Sequence, residues 1–141
     1  MVANCMDEAA RELVRDRLTR ADHDLRSARV LSSLDAPLLD TAIYHCQQAA
    51  EESIKAWLQG QDEPFPKTHD LGDLLKPAMA MNPDFSQLDK AAIVLTPYAS
   101  AFRYPGGAYE AMPTREEFDE ALKYAQQIYD FVMSLLQGKT D

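Results

Sequence analysis

Residues 38–60, LLDTAIYHCQQAAEESIKAWLQG, decide the fold of this chain. Apolar side chains recur there at steps of three and four residues, which is the spacing of one face of an α-helix. They are Leu39, Ala42, Ile43, Cys46, Ala50, Ile54 and Trp57. Pro37 precedes the segment and Gly60 is a typical helix terminator, so we predict a helix that presents one apolar stripe to a core.

The same periodicity continues on both sides of this segment. The predicted helices cover residues 7–33, 38–60, about 70–79, about 85–103 and 114 to about 137. Pro77 predicts a kink or break in the third helix, and Pro97 predicts a bend in the fourth. No stretch alternates with a period of two, so no sheet is expected. We therefore predict an all-α fold: a single domain over residues 1–141 with its core at about 15–137, forming an antiparallel up-and-down bundle of four to five helices.

Polar residues mark where the predicted helices begin. Asp7 can cap the first helix, and either Thr68 or Asp70 can cap the third. Thr114 is followed three residues later by Glu117, which is the pattern of a capping box. Residues 104–113, YPGGAYEAMP, precede that box and read as a loop.

Composition excludes several classes of protein. The 141 residues carry a net charge of −9, so a broad basic face for nucleic acid is excluded and any anion site must be a local pocket. No apolar run approaches the ~20 residues of a membrane span. The two cysteines and the absence of an apolar leader favour a reducing, cytoplasmic location. The histidines lack the spacing of a metal site, so we expect neither a metal nor a cofactor.

Three short segments carry the candidate chemistry. In the second helix Tyr44, Gln48, Glu51 and Lys55 share one face, which is either an ordinary solvated surface or a groove wall that offers Lys55 to an anion. His69 lies in the segment Lys67-Thr68-His69-Asp70 at a predicted helix start, where an anion site and a plain surface cap are both open. Arg103-Tyr104-Pro105 offers a guanidinium beside an aromatic ring.

Taken together, these motifs resemble the HEPN domain (higher eukaryotes and prokaryotes nucleotide-binding). The resemblance is carried by the run from Tyr44 to Glu51 with Lys55-Ala56 after it, by Lys67-Thr68-His69-Asp70-Leu71, and by Arg103-Tyr104-Pro105. It implies an all-helical bundle, commonly a homodimer, that associates with nucleotides or RNA. It also implies pairing with a small nucleotidyltransferase in toxin–antitoxin style.

Many proteins of this family are metal-independent ribonucleases with an Arg-x4–6-His motif. Arg103 matches the arginine of that motif, but positions 108, 109 and 110 hold Ala108, Tyr109 and Glu110. A tyrosine of ordinary pKa near 10 is a weak base at pH 7. We therefore expect a nucleotide- or RNA-binding module without ribonuclease chemistry. The alternative is a ribonuclease toxin in which Tyr109 or His69 moves protons.

The candidate ligand contacts are Lys55, Lys67, His69, Arg103 and Tyr104. In this hypothesis Arg103 and Lys67 hold phosphate, Tyr104 stacks on a base and Lys55 adds charge. A third reading is a structural partner that docks a nucleotidyltransferase and binds no ligand. A surplus of apolar and aromatic residues favours a homodimer; the residues are Leu38, Leu58, Phe65, Tyr98 and Tyr104.

Overall fold

The structure, a computed structural model, describes residues 7–103 and 112–140, with side chains up to residue 137. Five α-helices and two 3₁₀ turns make up this part of the chain, and it contains no strand. The helices are α1 (Glu8–Ser32), α2 (Leu39–Gly60), α3 (Leu71–Met81), α4 (Asp89–Leu95) and α5 (Arg115–Thr140). The prediction of an all-helical bundle is confirmed. No described helix has the length and apolarity to cross a membrane.

Local capping interactions set three of the helix starts as predicted. Asp7 Oδ1 accepts a hydrogen bond of 2.7 Å from the backbone N–H three residues on. Asp70, and not Thr68, caps α3 by accepting from a backbone N–H at 2.8 Å. Thr114 and Glu117 form the reciprocal capping box: Thr114 N–H donates to Glu117 at 2.8 Å, and Glu117 N–H donates to the Thr114 hydroxyl at 3.0 Å. Each cap satisfies backbone donors that a helix leaves unpaired at its first turn.

Helix α2 lies at the centre of the bundle and packs against both α1 and α5. The apolar stripes predicted for these helices face the core, where Ala21, Leu25, Ile43 and Ile54 are at most 2% exposed. An aromatic chain joins α2 to α5, since the Phe85 ring lies 4.6 Å from Trp57 and 4.9 Å from Phe131. The burial of these side chains is the main source of stability for the bundle.

The short segment 33–38 reverses the chain between α1 and α2, and we call this end of the molecule the hairpin end. Helix α5 also begins there, because Arg115 donates a hydrogen bond of 2.8 Å to the backbone carbonyl of Ser32. Helix α1 is therefore antiparallel to both α2 and α5. The segment 61–103 carries the chain back to the hairpin end before α5 starts.

The prediction of one continuous fourth helix over residues 85–103 is wrong. The structure has a 3₁₀ turn at Pro83–Leu88, the short α4, and a second 3₁₀ turn at Thr96–Ala99. Pro97 lacks the backbone N–H that would donate to the carbonyl of Ile93 in a continuous α-helix. The backbone N–H and the hydroxyl of Thr96 both donate to the carbonyl of Ala92, the hydroxyl at 2.8 Å. Of the kink or break expected at Pro77, the break is wrong, because α3 continues through this residue to Met81.

The apolar surplus that favoured a homodimer is mostly interior. Leu58 and Tyr98 are 0% and 8% exposed, and Phe65 packs against the core. Only Leu38 is an exposed member of that set, since Tyr104 lies outside the described residues. The structure exposes other apolar side chains near the hairpin end, and they are Val30, Leu34 and Met112.

Candidate functional site

The polar stripe of α2 is not an ordinary solvated face. Glu51 is only 4% exposed, and the Lys55 side chain is 14% exposed. Gln47, which precedes the stripe residue Gln48, is fully buried. The segment between α2 and α3 lies over this part of the helix, which is why charged residues at helical spacing end up inside.

Glu51 is the centre of a closed hydrogen-bond network. Its Oε2 accepts from Lys55 Nζ at 2.9 Å, and its Oε1 accepts from Gln47 Nε2 at 3.0 Å and from His69 Nδ1 at 2.9 Å. The Gln47 amide also donates to the backbone carbonyl of His69 at 3.1 Å. The network therefore fastens the segment before α3 onto α2.

The electrostatics of Glu51 are dominated by two opposing effects. Burial raises the pKa of this carboxyl, and the hydrogen bonds from Lys55, His69 and Gln47 outweigh burial, so the pKa lies below its ordinary value. The carboxylate is thus ionised at neutral pH and can only accept hydrogen bonds. It follows that His69 carries its proton on Nδ1.

Arg103 occupies a different environment at the hairpin end. Its guanidinium carbon lies over the Tyr44 ring, 4.1 Å from the ring centroid, and so makes a cation–π contact with the first residue of the stripe. Arg103 is exposed and lines an open cleft of about 250 Å³ with Asp40, Thr41 and Phe102. Within the described residues no carboxylate forms an ion pair with it.

The structure divides the predicted contacts into two groups. Lys55 and His69 meet through Glu51, whereas Arg103 lies beside Tyr44, which is about 10 Å from Glu51 along the axis of α2 at 1.5 Å per residue. Lys67 is exposed near the first group. Tyr104 lies outside the described residues, as do Ala108, Tyr109 and Glu110. The described candidates therefore form two separate groups along α2 and not one compact cluster.

A second constellation, which the sequence analysis did not single out, lies between α1 and α2. His45 Nδ1 lies 2.7 Å from Asp24 Oδ1, and the imidazole packs edge-on against Tyr44 with ring centroids 5.8 Å apart. His45 lines a cleft of about 470 Å³ whose other walls come from α1. Asp24 and His45 are separated by 21 residues, and no spacing rule links them before the helices are docked.

Arg17 links α1 to α2 through a partly buried ion pair. It forms an ion pair of 2.9 Å with Glu52 of α2, and its guanidinium carbon lies 5.5 Å from the Phe65 ring centroid. Lys55 Nζ lies 6.0 Å from the centroid of the same ring. These contacts hold Phe65 between the two cations and connect the network around Glu51 to α1.

Cys46 is buried beside these polar groups but takes no part in them. Burial, the largest effect, raises the pKa of its thiol to about 12, so the reactive thiolate is scarce at neutral pH. Among the described residues, no cluster of three or more histidine, cysteine, aspartate or glutamate side chains has the arrangement to hold a metal ion.

The described part of this protein is an all-helical bundle. The polar stripe of its central helix has a buried ionic network around Glu51 and an exposed arginine on Tyr44. The family model for the HEPN domain matches residues 14–135. The chain therefore belongs to the HEPN domain family, and the resemblance in the sequence is confirmed.

Two crystal structures have a similar fold. A protein from Thermus thermophilus is 35% identical with a TM-score of 0.71, and the match covers 86% of this chain and 96% of that one. An archaeal HEPN homologue is 28% identical with a TM-score of 0.70 and the same coverage. No functionally curated protein matches the chain.

Proposed function

We propose that this HEPN chain binds a nucleotide or RNA at the Arg103–Tyr44 pair and does not cleave RNA. The supporting observation is the 4.1 Å stacking of the guanidinium on Tyr44. This contact restrains the guanidinium over the ring, and Arg103 is exposed, so its N–H donors remain available to a ligand. A fixed planar fork of donors is the arrangement that recognises phosphate in two hydrogen bonds.

The surroundings of Arg103 are consistent with a local anion site on an acidic protein. The first turn of α2 begins beside the cleft, and backbone N–H groups at a helix start favour anions. Asp40 opposes an incoming phosphate, although it already accepts a hydrogen bond of 2.8 Å from the Thr41 backbone. Tyr104 follows Arg103 directly, and in this proposal it stacks on the base of the ligand.

The absence of cleavage follows from the residues available near Arg103. Metal-independent cleavage needs one group to take the 2′-hydroxyl proton and another to protonate the leaving oxygen. The positions after Arg103 that would supply a histidine hold Ala108, Tyr109 and Glu110. His69 is tied to Glu51, about 10 Å further along α2 than Tyr44.

The remaining candidate contacts fit a longer ligand. Lys67 and the exposed ring of His69 would contact a second part of an RNA strand, because they belong to the group around Glu51, about 10 Å along α2 from Tyr44. Lys55 donates to Glu51, so its role in this proposal is to hold the network in place while adding positive potential. A nucleotidyltransferase partner, which the family resemblance implies, remains part of the proposal.

The homodimer is also part of the proposal, with a different surface from the one first expected. Leu34, Leu38 and Met112 are between 44% and 54% exposed near the hairpin end. Apolar side chains in one region form the kind of patch that a twofold interface buries. A dimer through this patch would bring two Arg103 sites near each other.

Light scattering should give twice the mass of one chain, and Leu38→Glu should shift the protein toward monomer. A wild type of single-chain mass at micromolar concentration would refute the dimer.

The binding proposal is tested by fluorescence anisotropy with a short labelled single-stranded RNA at fixed salt. Arg103→Ala should weaken binding about tenfold, since hydrogen bonds from a charged group are worth about 1.5–3 kcal/mol. The matched control is Arg11→Ala, which removes the same charge from an exposed site on α1. Asp40→Asn should tighten binding about twofold to threefold by removing a nearby like charge.

Two outcomes would contradict the proposal. The first is equal weakening by Arg103→Ala and Arg11→Ala, which would mean that only net charge matters. The second is degradation of RNA by the wild-type protein in the presence of a chelator. That degradation, if abolished by His69→Ala or Tyr109→Phe, would establish the ribonuclease alternative instead.

A further inference from the structure

The cleft between α1 and α2 has the composition of a ligand site. It is lined by His23, Arg26, Ser27 and His45, with Val30 and Leu31 as apolar wall, and holds about 470 Å³. Its polar side chains are a guanidinium, a hydroxyl and two imidazoles, so the cleft can contact both a phosphate and a sugar. The stretch from residue 20 to residue 29 has three arginines and two aspartates, a net charge of +1 in a chain of net charge −9, and the exposed Arg26 forms a 3.4 Å ion pair with Asp22 that a phosphate would compete for.

Asp24 determines which hydrogen-bonding group His45 offers to that cleft. An ionised carboxylate accepts hydrogen bonds but cannot donate them, so the 2.7 Å contact requires a proton on His45 Nδ1. In the neutral imidazole the other nitrogen, Nε2, is then a lone-pair acceptor. The His45 side chain is 27% exposed and lines the cleft, so Nε2 is the polar atom available to a ligand.

The cleft adjoins the Arg103 site. Arg103 stacks on Tyr44 at 4.1 Å, and the Tyr44 ring meets the His45 ring at 5.8 Å. These two contacts limit the distance from the Arg103 guanidinium carbon to the His45 ring centroid to about 9.9 Å. One strand of nucleic acid can therefore have a phosphate on Arg103 and the neighbouring sugar at His45.

From this geometry we infer that His45, oriented by Asp24, accepts a hydrogen bond from a ribose 2′-hydroxyl and makes the site selective for RNA over DNA. This inference rests on the proposed binding function and names its substrate class. The 2′-hydroxyl is the group that distinguishes the two nucleic acids, and a fixed acceptor is what detects it. Arg26 and Ser27 serve as donors to the adjacent phosphate.

The same arrangement does not make His45 a catalytic base. Cleavage would also need a positioned acid on the far side of the phosphorus, because orientation supplies most of the advantage of such a group. His23 lines the cleft but is exposed, and no hydrogen bond to another described residue fixes its ring. His45 is thus a specificity-determining residue in this proposal.

The experiment compares a labelled single-stranded RNA with the DNA of the same sequence, both without secondary structure. The wild type should bind the RNA about threefold to tenfold more tightly, the effect of one hydrogen bond. His45→Phe keeps an aromatic ring but removes the acceptor, so it should weaken RNA binding to the level of DNA and leave DNA binding within about twofold. Gln87→Phe, which places the same aromatic ring at an exposed position outside the cleft, is the matched control and should preserve the RNA-to-DNA ratio.

The outcomes separate this inference from the proposed function. If Arg103→Ala weakens both nucleic acids but His45→Phe leaves the ratio unchanged, the binding site stands and the role of His45 is wrong. If the wild type binds neither RNA nor DNA, the proposed function fails and this inference fails with it. Cleavage of the RNA, abolished by His45→Phe, would also overturn it by making His45 catalytic.

Circular dichroism of His45→Phe checks that the bundle is intact. Asp24→Asn weakens the orientation of the imidazole, so it should also lower the RNA-to-DNA affinity ratio.

Discussion

The two ends of the polar stripe on α2 have the same helical spacing and opposite environments. At one end Glu51 is buried, and both its oxygens accept hydrogen bonds from Lys55, His69 and Gln47. At the other end Tyr44 supports Arg103, which is exposed and has no ion-pair partner among the described residues. We call these the closed end and the open end of the stripe.

The difference arises from what the rest of the chain places over the helix. The segment between α2 and α3 covers Glu51, so its charge must be neutralised internally, and a buried charge without partners would be very unfavourable. No described segment covers the guanidinium of Arg103. Helical spacing therefore identifies residues that share a face, but the covering segment determines whether they stabilise the fold or meet a ligand. Substitutions at the closed end should change stability, and substitutions at the open end should change binding.

The largest effect is expected for Glu51→Ala at the closed end. This change leaves the Lys55 ammonium and the Gln47 amide in a mostly buried place without their acceptor, and breaking a buried ion pair costs about 3–5 kcal/mol. Urea unfolding should show this loss, whereas Glu12→Ala on the exposed face of α1 should change stability by less than about 0.5 kcal/mol. Equal stability of the two variants would show that the network contributes nothing.

The second-largest effect is expected in how the free energy of unfolding depends on pH below neutrality. The pKa of Glu51 is lower in the folded chain than its ordinary value of 4.5, so its contribution is complete above that value and is lost as the pH falls through the folded pKa. Over that interval one proton adds up to about 1.4 kcal/mol per pH unit to the slope. Unfolding free energies measured from pH 6 down to about pH 2 should fall more steeply for the wild type than for Glu51→Gln. Parallel curves would contradict a lowered pKa.

His69→Ala should have a smaller effect at the same end. The His69 side chain is 72% exposed, so water can replace its donor to Glu51, and one hydrogen bond is worth about 1 kcal/mol net. His23→Ala, an exposed histidine on α1, is the control and should leave the denaturation midpoint unchanged. A loss as large as that of Glu51→Ala would mean that the segment before α3 is held by His69 alone.

The smallest effect on stability is expected at the open end. Arg103→Ala removes an exposed cation–π contact worth about 0.5 kcal/mol, although the same change should weaken RNA binding about tenfold. Thermal unfolding without ligand should therefore be close to wild type. A large loss of stability would place Arg103 with the structural residues and remove the contrast between the two ends.

The sequence by itself determined the elements that depend on neighbours along the chain. The apolar stripes of α1, α2 and α5 and the caps at Asp7 and Thr114 were predictable, because these interactions join residues within a few positions of each other. For α3 the sequence left Thr68 and Asp70 as alternatives, and the structure selects Asp70. The HEPN family was also predictable, since its motifs are short runs of contiguous residues.

Only the tertiary structure decided which polar residues meet. The contacts of Glu51 with His69, of Asp24 with His45 and of Arg103 with Tyr44 span 18, 21 and 59 positions. Each depends on how a helix is rotated about its axis when it docks, and that rotation is fixed by the packing of the whole core. The same packing buried Leu58 and Tyr98, whose hydrophobicity alone does not distinguish a core residue from an interface residue.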